Sequence, residues 1–438
     1  MQYLPNIFFA LAFAVGIGFF VMNIRKLSRN IKLGKDVNRA DRKSERFKNM
    51  IMIALGQSKM VKRPFSGFLH IVVYVGFIII NIEVLEIIID GLLGTHRIFL
   101  SVIPASVYGF LIGTFEVLAV LVLVTVIIFW LRRNVSNIKR FMSAEMKGWP
   151  KNDGNYILYF EIVLMTLFLT MNTTDTAFQE AGTGNVISQF IVPFFDGYSP
   201  ETLHTIERTA WWIHILGILT FLNYLYYSKH LHILLAFPNT YFANLNPKGQ
   251  FNNLESVTNE VKLMMDPDAD PYAMPEEGTE EVVPEKFGAS DVTDLNWVQL
   301  LNAYTCTECG RCTSSCPANL TGKKLSPRKI MMDTRDRLEE VGRNIDANNG
   351  EFKDDGKQLL YDFISPEELW ACTSCNACVE ECPVNIDPLS IIMDMRRYLV
   401  MEQSAAPQEL NMMMTNVENN GAPWQYNQQD RLNWANEE

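Results

Sequence analysis

All eight cysteines fall in two copies of one spacing, Cys306-x2-Cys309-x2-Cys312-x3-Cys316-Pro317 and Cys372-x2-Cys375-x2-Cys378-x3-Cys382-Pro383. Three cysteines separated by two residues each bring their thiolates onto one tight turn around three irons of a cubane cluster, and the fourth reaches the other cluster where two are bound. The spacing therefore assigns Cys306, Cys309, Cys312 and Cys382 to one 4Fe-4S cluster, and Cys372, Cys375, Cys378 and Cys316 to a second. Two four-cysteine zinc sites are the rival reading, but zinc ribbons use two separated pairs and leave the third cysteine and the Cys-Pro ending unexplained. No Cys/His or Ser/His/Asp pattern accompanies the motifs, so the thiolates read as ligands rather than nucleophiles.

The 438 residues divide into halves of opposite character. Up to about residue 237 apolar runs alternate with basic or neutral loops; beyond it Asp, Glu, Pro and Asn dominate, and most of the formal charge of -11 lies there. That acidity argues against a nucleic-acid partner, which needs a basic face. Five runs are long enough to cross a bilayer, at 5–24, 65–90, 102–131, 156–172 and 207–237. The first lacks a charged leader and a small-residue cleavage site, so it is expected to stay attached. Lys and Arg crowd the loops after spans one and three, whereas 173–205 has neither and carries Asp175, Glu180, Asp196 and Glu201. The positive-inside rule then puts the N-terminus outside and the cysteine-bearing half in the cytoplasm, where thiols stay reduced and disulfides are disfavoured.

The expected architecture is mainly α: a five-helix transmembrane cytochrome b bundle (1–237), an acidic Pro-punctuated linker (238–295), a helical two-cluster ferredoxin-like domain (296–402) and a C-terminal tail for partner contact (403–438). Ser326-Pro327 has the form of an N-cap followed by proline at the first helical position.

The six histidines, His70, His96, His204, His214, His230 and His232, all lie in the membrane half. Intramembrane polar groups are costly and usually functional, and a cytochrome b holds haem between histidines on two spans. His70 and His232 sit at matching depth near the cytoplasmic ends of spans two and five and are the expected axial ligands of haem b, with His230 the alternative. His214 and His232 would share one face of span five, 18 residues or about 27 Å apart. A second haem at His214 lacks a partner because position 80 is Ile, so one haem is expected and two only if His96 or His204 folds back. Glu83, Glu86, Glu116 and Glu161 lie in apolar runs and are expected to face the bundle interior, as a quinone pocket or proton route, or as carboxylates hydrogen-bonded to neighbouring helices.

GFLHIVVYVGF, WWIHILG and KHLHILLAFPN give the first 237 residues a sequence that resembles the gamma, cytochrome b subunit of respiratory nitrate reductase and the related membrane subunit of heterodisulfide reductase. YTCTECGRCTSSCPAN and LWACTSCNACVEECPVNIDP resemble the iron-sulfur part of heterodisulfide reductase and of anaerobic glycerol-3-phosphate dehydrogenase. The fusion of the two is similar to bacterial electron-transfer-flavoprotein:menaquinone oxidoreductases. That resemblance implies an inner-membrane, quinone-linked oxidoreductase subunit with menaquinone as substrate and an electron-transfer flavoprotein as cytoplasmic donor. In fused relatives a cysteine-rich catalytic part follows a segment like APWQYNQQDRLNWANEE; the absence of a spare cysteine here implies a separate catalytic subunit. A membrane arm for a disulfide, lactate or glycerol-3-phosphate enzyme is the alternative within redox chemistry. A non-catalytic iron-sulfur anchor or sensor, which predicts no haem, is the alternative outside it. A transporter is disfavoured because no pair of broken, Gly/Pro-interrupted spans is present.

Overall fold

The computed structural model describes residues 3–136, 138–267 and 286–436. Five helices, α1 (Leu4–Ile31), α2 (Pro64–Leu93), α3 (Ala105–Asn134), α4 (Trp149–Thr174) and α5 (Pro200–Tyr224), each pack on the next, and α5 returns to α1. Local signals set their ends. Pro64 opens α2, Gly94 closes it with a positive φ of 74°, and Ser199 caps α5 by accepting the Thr202 amide. Tyr108, Ile112, Phe115, Ala119 and Phe168 fill the bundle core, while Phe8, Leu11, Phe19, Phe68 and Phe110 point outward as a lipid-facing surface would.

Four of these helices, α1 to α4, are long and apolar enough to cross a membrane. The fifth expected span, 207–237, is not one helix. α5 carries Glu201, His204, Glu207 and Arg208 in its first turns and stops at Tyr224; Ser228 is extended, and α6 (His232–Tyr241) begins anew. The cause lies on α4: buried Asp153 accepts the Tyr224 hydroxyl at 2.6 Å and the Lys229 amide at 3.2 Å, so its carboxylate takes a backbone donor that a continuous helix would use internally. The expectation that His214 and His232 share one helical face is thereby overturned.

The cysteine-bearing half is helical, with no β-strand among the described residues. It comprises α7 (Trp297–Thr305), α8 (Arg311–Ser315), α9 (Pro327–Ala347), α10 (Ala377–Glu381) and α11 (Pro388–Arg397), and Ser326 does cap α9 by accepting the Lys329 amide. The expected linker is shorter than its composition suggests. Residues 238–241 finish α6, Glu255–Met265 is an exposed helix, and Ala289, Val292 and Leu295 are core residues of the cluster domain; 268–285 lies outside the described residues. Asp291 anchors that last stretch, accepting from the fully buried Arg337 at 2.7 Å.

The two halves share one apolar core. Leu27, Ala54, Phe221 and Leu231 of the membrane half belong to the same cluster as Leu300, Tyr304, Ile330 and Leu338. Lys35 and Asn296 form a parallel bridge across the seam, where Gly34 permits close approach: a Cβ there would lie 2.6 Å from the Trp297 nitrogen.

Candidate functional site

Both cysteine motifs turn the chain in the same way. Two residues after the first cysteine of each copy stands a left-handed residue, Glu308 (φ 53°) and Ser374 (φ 57°); two residues further stands another, Gly310 (φ 69°) and Asn376 (φ 59°). Left-handed backbone in a non-glycine residue is costly, and its recurrence at equivalent positions marks a curvature that each motif is built to keep. Each wrap then runs into a short helix, α8 or α10, and these two helices pack on one another. The extended Cys316 and Cys382 follow.

The thiols are all free: Cys306, Cys316, Cys378 and Cys382 are buried, Cys309, Cys312 and Cys372 half-buried, and Cys375 exposed. Burial, then neighbouring charge, pushes Cys306 up to about 12 and Cys382 up to about 11. Such thiols resist ionising on their own, which suits ligands deprotonated by a metal and not nucleophiles. Cys382 lies in the electrostatic field of Cys306, Cys309 and Cys312, whereas Cys316 lies in that of Cys372 and Cys378. Backbone amides also point at sulfur, from Ser374 to Cys372 Sγ at 3.4 Å and from Ile386 to Cys382 Sγ at 3.2 Å. Free buried thiols, amide donors to sulfur and a repeated wrap fit a pair of 4Fe-4S clusters.

The motifs are fastened to the helix ends that carry the histidines. Arg311 donates to the carbonyls of Lys59 (3.0 Å) and Met60 (3.1 Å), and Arg63 donates to Ser314 Oγ (3.2 Å) and Glu381 Oε2 (3.1 Å). One turn of loop thus grips both motifs immediately before α2, and His70 follows seven residues after Arg63. On the other side Lys229 is ion-paired with Glu308, inside the first motif, and Arg335 reaches the same carboxylate at 2.7 Å. Lys229 immediately precedes His230.

The structure brings His70, His230 and His232 together. The rings of His230 and His232 lie 5.5 Å apart, and burial, then the neighbouring His232 and His70 rings, pushes His230 down to about 3. His232 Nδ1 lies 3.0 Å from the Lys229 carbonyl; the tautomer that donates there leaves Nε2 free as a ligand atom. His70 Nδ1 is buried without a hydrogen-bond partner. An orphaned imidazole nitrogen on α2 and a fixed imidazole on α6, near enough to feel one another's charge, fit a group held between two axial histidines. His214 stands apart, deep in α5 against Phe168 at 6.4 Å, with its own Nδ1 unpartnered. His96 and His204 do not fold back towards it: His96 pairs with Asp175 at 3.2 Å, and exposed His204 lies 4.0 Å from Glu207.

The four carboxylates separate. Glu116 is fully buried and accepts from Asn172 (3.1 Å) and the amides of Ile187 (2.7 Å) and Ser188 (3.0 Å), the hydrogen-bonded structural reading. Glu86 is buried and accepts from the Phe99 amide (2.9 Å) and Tyr108 (3.2 Å). Glu83 is buried with Oε2 unpartnered, and Glu161 is half-buried on α4.

Glu308, Lys229, Arg335 and Arg311 were not singled out from sequence, although Glu308 lies inside a cysteine motif and Lys229 beside the His-x-His pair. Burial alone would raise the Glu308 carboxyl, but the Lys229 and Arg335 charges hold it below its ordinary 4.5. A depressed native value means that its stabilisation is complete above that ordinary value and is lost as pH falls through the native one. Glu308→Gln removes the carboxylate that Lys229 and Arg335 share, leaving them only Asp153 at 3.6 Å and Asp336 at 3.0 Å, and is expected to cost about 3 kcal/mol. The thermal midpoint of the detergent-solubilised protein should drop accordingly; an unchanged midpoint would show that the seam does not depend on this carboxylate.

Comparison with known proteins agrees with the iron-sulfur reading of the cysteine motifs. Residues 305–386 match the 4Fe-4S dicluster domain family. The chain is 29% identical, over 98% of its own length and 60% of the relative's, to a probable iron-sulfur-binding oxidoreductase FadF of Bacillus subtilis. It is 26% identical, over 92% of its length and 55% of the relative's, to an EtfAB:quinone oxidoreductase of Syntrophomonas wolfei. A probable membrane-anchored ferredoxin of Chromohalobacter salexigens is 33% identical over 34% of this chain and 24% of its own. The chain thus spans less than two thirds of the length of these relatives. No solved structure matches it. The chain is similar to iron-sulfur oxidoreductases, and it joins a 4Fe-4S dicluster domain to a multi-pass apolar helical bundle.

Proposed function

We propose that the chain is a membrane electron-transfer subunit, passing electrons between a cytoplasmic partner and menaquinone through two 4Fe-4S clusters and haem b. The carrying observation is the seam itself: Arg63, Arg311 and Lys229 tie both cysteine motifs to the helix ends that bear His70, His230 and His232. In this reading Cys306, Cys309, Cys312 and Cys382 hold the cluster nearer the membrane, where Lys59 interacts with Cys382 and Arg140 with Cys309 and both compensate anionic charge. Cys372, Cys375, Cys378 and Cys316 hold the outer one, and exposed Cys375 marks the side that a soluble partner reaches. His70 and His232 are the axial ligands. One-electron carriers of this kind match a two-electron donor to a quinone; the polypeptide supplies placement, hydrogen bonds to sulfur and positive charge.

The likeness to an EtfAB:quinone oxidoreductase supports an electron-transfer flavoprotein as the donor. The exposed helix Gln408–Asn420 and the exposed Trp424, Tyr426 and Trp434 form the surface for that contact. The basic loops support a cysteine half in the bacterial cytoplasm, with α1 to α5 across the inner membrane. The test is the anaerobically purified protein: about eight acid-labile sulfides per chain, and a dithionite-reduced b-type band that a soluble menaquinone analogue reoxidises. Zinc in place of iron, with no haem, would reduce the chain to an anchor.

A further inference from the structure

The two cysteine wraps are built alike but sit among different charges. Arg140 lies on the loop between α3 and α4, and Arg328 fixes that loop against the first wrap by donating to the Arg140 carbonyl at 2.6 Å. A Cβ added to Gly310, the residue after Cys309, would lie 3.4 Å from the Arg140 Cβ. The half-buried Arg140 guanidinium has no ion pair among the described residues, and its buried Nε has no hydrogen-bond partner. It stands over the Phe141 ring at 5.0 Å, in the field of Cys309 and with Arg63, Arg311 and Arg132 as like-charged neighbours. A buried cation so placed calls for negative charge beside it.

Two more cations without an ion pair among the described residues bear on the same four cysteines. Buried Arg311, between Cys309 and Cys312, donates to the Lys59 and Met60 carbonyls and to Met60 Sδ (2.9 Å), and lies in the field of Cys309 and Cys382. Lys59 donates to the Val379 carbonyl at 3.3 Å and lies in the field of Cys382. The neighbouring carboxylate, Glu381, is held by Arg63 at 3.1 Å, and at Cys306 the charges of Glu308 and Arg335 oppose one another. The other set of cysteines is balanced instead: Arg396 lies beside Cys372, and the Asp387 carboxyl beside Cys378. Amide donors do not separate the two sets, since Cys382 receives one from Ile386 and Cys372 one from Ser374.

Reduction adds one negative charge at a 4Fe-4S site, and net charge, hydrogen bonds to sulfur and exposure set its potential. Cations that the fold already holds in place favour the arriving charge, the more so away from water. We propose that Arg140, with Arg311 and Lys59, gives the cluster held by Cys306, Cys309, Cys312 and Cys382 the higher reduction potential of the two. The proposal rests on the two-cluster reading above and ranks its members. An electron that a two-electron donor delivers at exposed Cys375 then runs downhill towards His70. Arg140 neither binds a substrate nor moves a proton; from the membrane half of the chain it biases where the electron rests.

The holoprotein, purified anaerobically in detergent, is titrated with dithionite and redox mediators while the EPR signal of the reduced clusters is followed. Two midpoints are expected. Arg140→Gln should lower the higher one, making that cluster about tenfold harder to reduce, about 59 mV for one electron. The lower midpoint and the acid-labile sulfide should not change, and Arg140→Lys, which keeps the charge, should recover most of the loss. Lys324→Gln removes an exposed cation of the same half and should move neither midpoint. Lys59→Gln should lower the same midpoint as Arg140→Gln, and it decides by the same criterion if Arg140→Gln does not keep its sulfide. Midpoints that ignore these substitutions, or a shift of the lower one instead, overturn the proposal and leave the electron-transfer reading standing. No cluster signal in the unaltered protein overturns that reading and the proposal with it.

Discussion

The double variant Cys306→Ala/Cys382→Ala is expected to retain about four cluster irons per chain, and Cys306→Ala/Cys316→Ala about none. The two proteins carry the same number of lost thiols, so general damage to the fold cannot mimic the difference. It arises because Cys382 interacts with Cys306, Cys309 and Cys312, while Cys316 interacts with Cys372 and Cys378. α8 packs on α10, and in the proposed assignment that packing carries the last cysteine of each motif to the other motif's cluster. Iron and acid-labile sulfide, measured on anaerobically purified protein, decide the matter. If each motif served its own cluster, the pattern would reverse: Cys306→Ala/Cys316→Ala would keep four irons and Cys306→Ala/Cys382→Ala would lose all.

The reason the two cysteine wraps were legible in sequence, and much of their surroundings was not, is the range over which each feature is encoded. A cysteine motif is local: the wrap is completed within eleven residues, and Gly310 and Asn376 announce two of its left-handed positions by residue type. Glu308 and Ser374 occupy the other two and announce nothing. The α5 break was illegible for a different reason. NYLYYSK interrupts the apolar run only mildly, and the helix stops because Asp153, 71 residues from Tyr224, competes for its donors. The same holds for the Lys229–Glu308 pair, whose partners are 79 residues apart. The expected bounds of the fifth span, 207–237, rested on composition, and composition cannot distinguish a continuous apolar helix from two that meet at a polar hinge. Glu116 shows the converse: an intramembrane carboxylate that invites a functional reading is explained by three hydrogen bonds that fasten the chain at Ile187 and Ser188.

The break in the α5 region makes the haem prediction sharper than a continuous helix would. Because His232 opens α6 on the cysteine side of that hinge, its position is fixed by the Lys229 carbonyl, by Lys229's ties to Glu308 and Asp153, and by Asn239 on the same helix donating to the Val384 carbonyl at 2.7 Å. His70→Ala and His232→Ala are each expected to abolish the b-type band while leaving about eight acid-labile sulfides. A histidine that reports on haem but not on sulfide is a ligand; one whose loss removes both is holding the seam. His230→Ala should keep the band, because His230 packs against Phe221 at 5.5 Å and supports the neighbouring ring. If instead His230→Ala abolishes it and His232→Ala does not, the axial role passes to His230. His214→Ala should leave the band at full height, since His214 lies beside Phe168 in the bundle core and would be a ligand only of a second haem. A band halved by His214→Ala and halved again by His70→Ala would establish two haems. A band intact in His70→Ala would remove α2 from the electron path, leaving the cysteine domain joined to an apolar bundle with no carrier of its own.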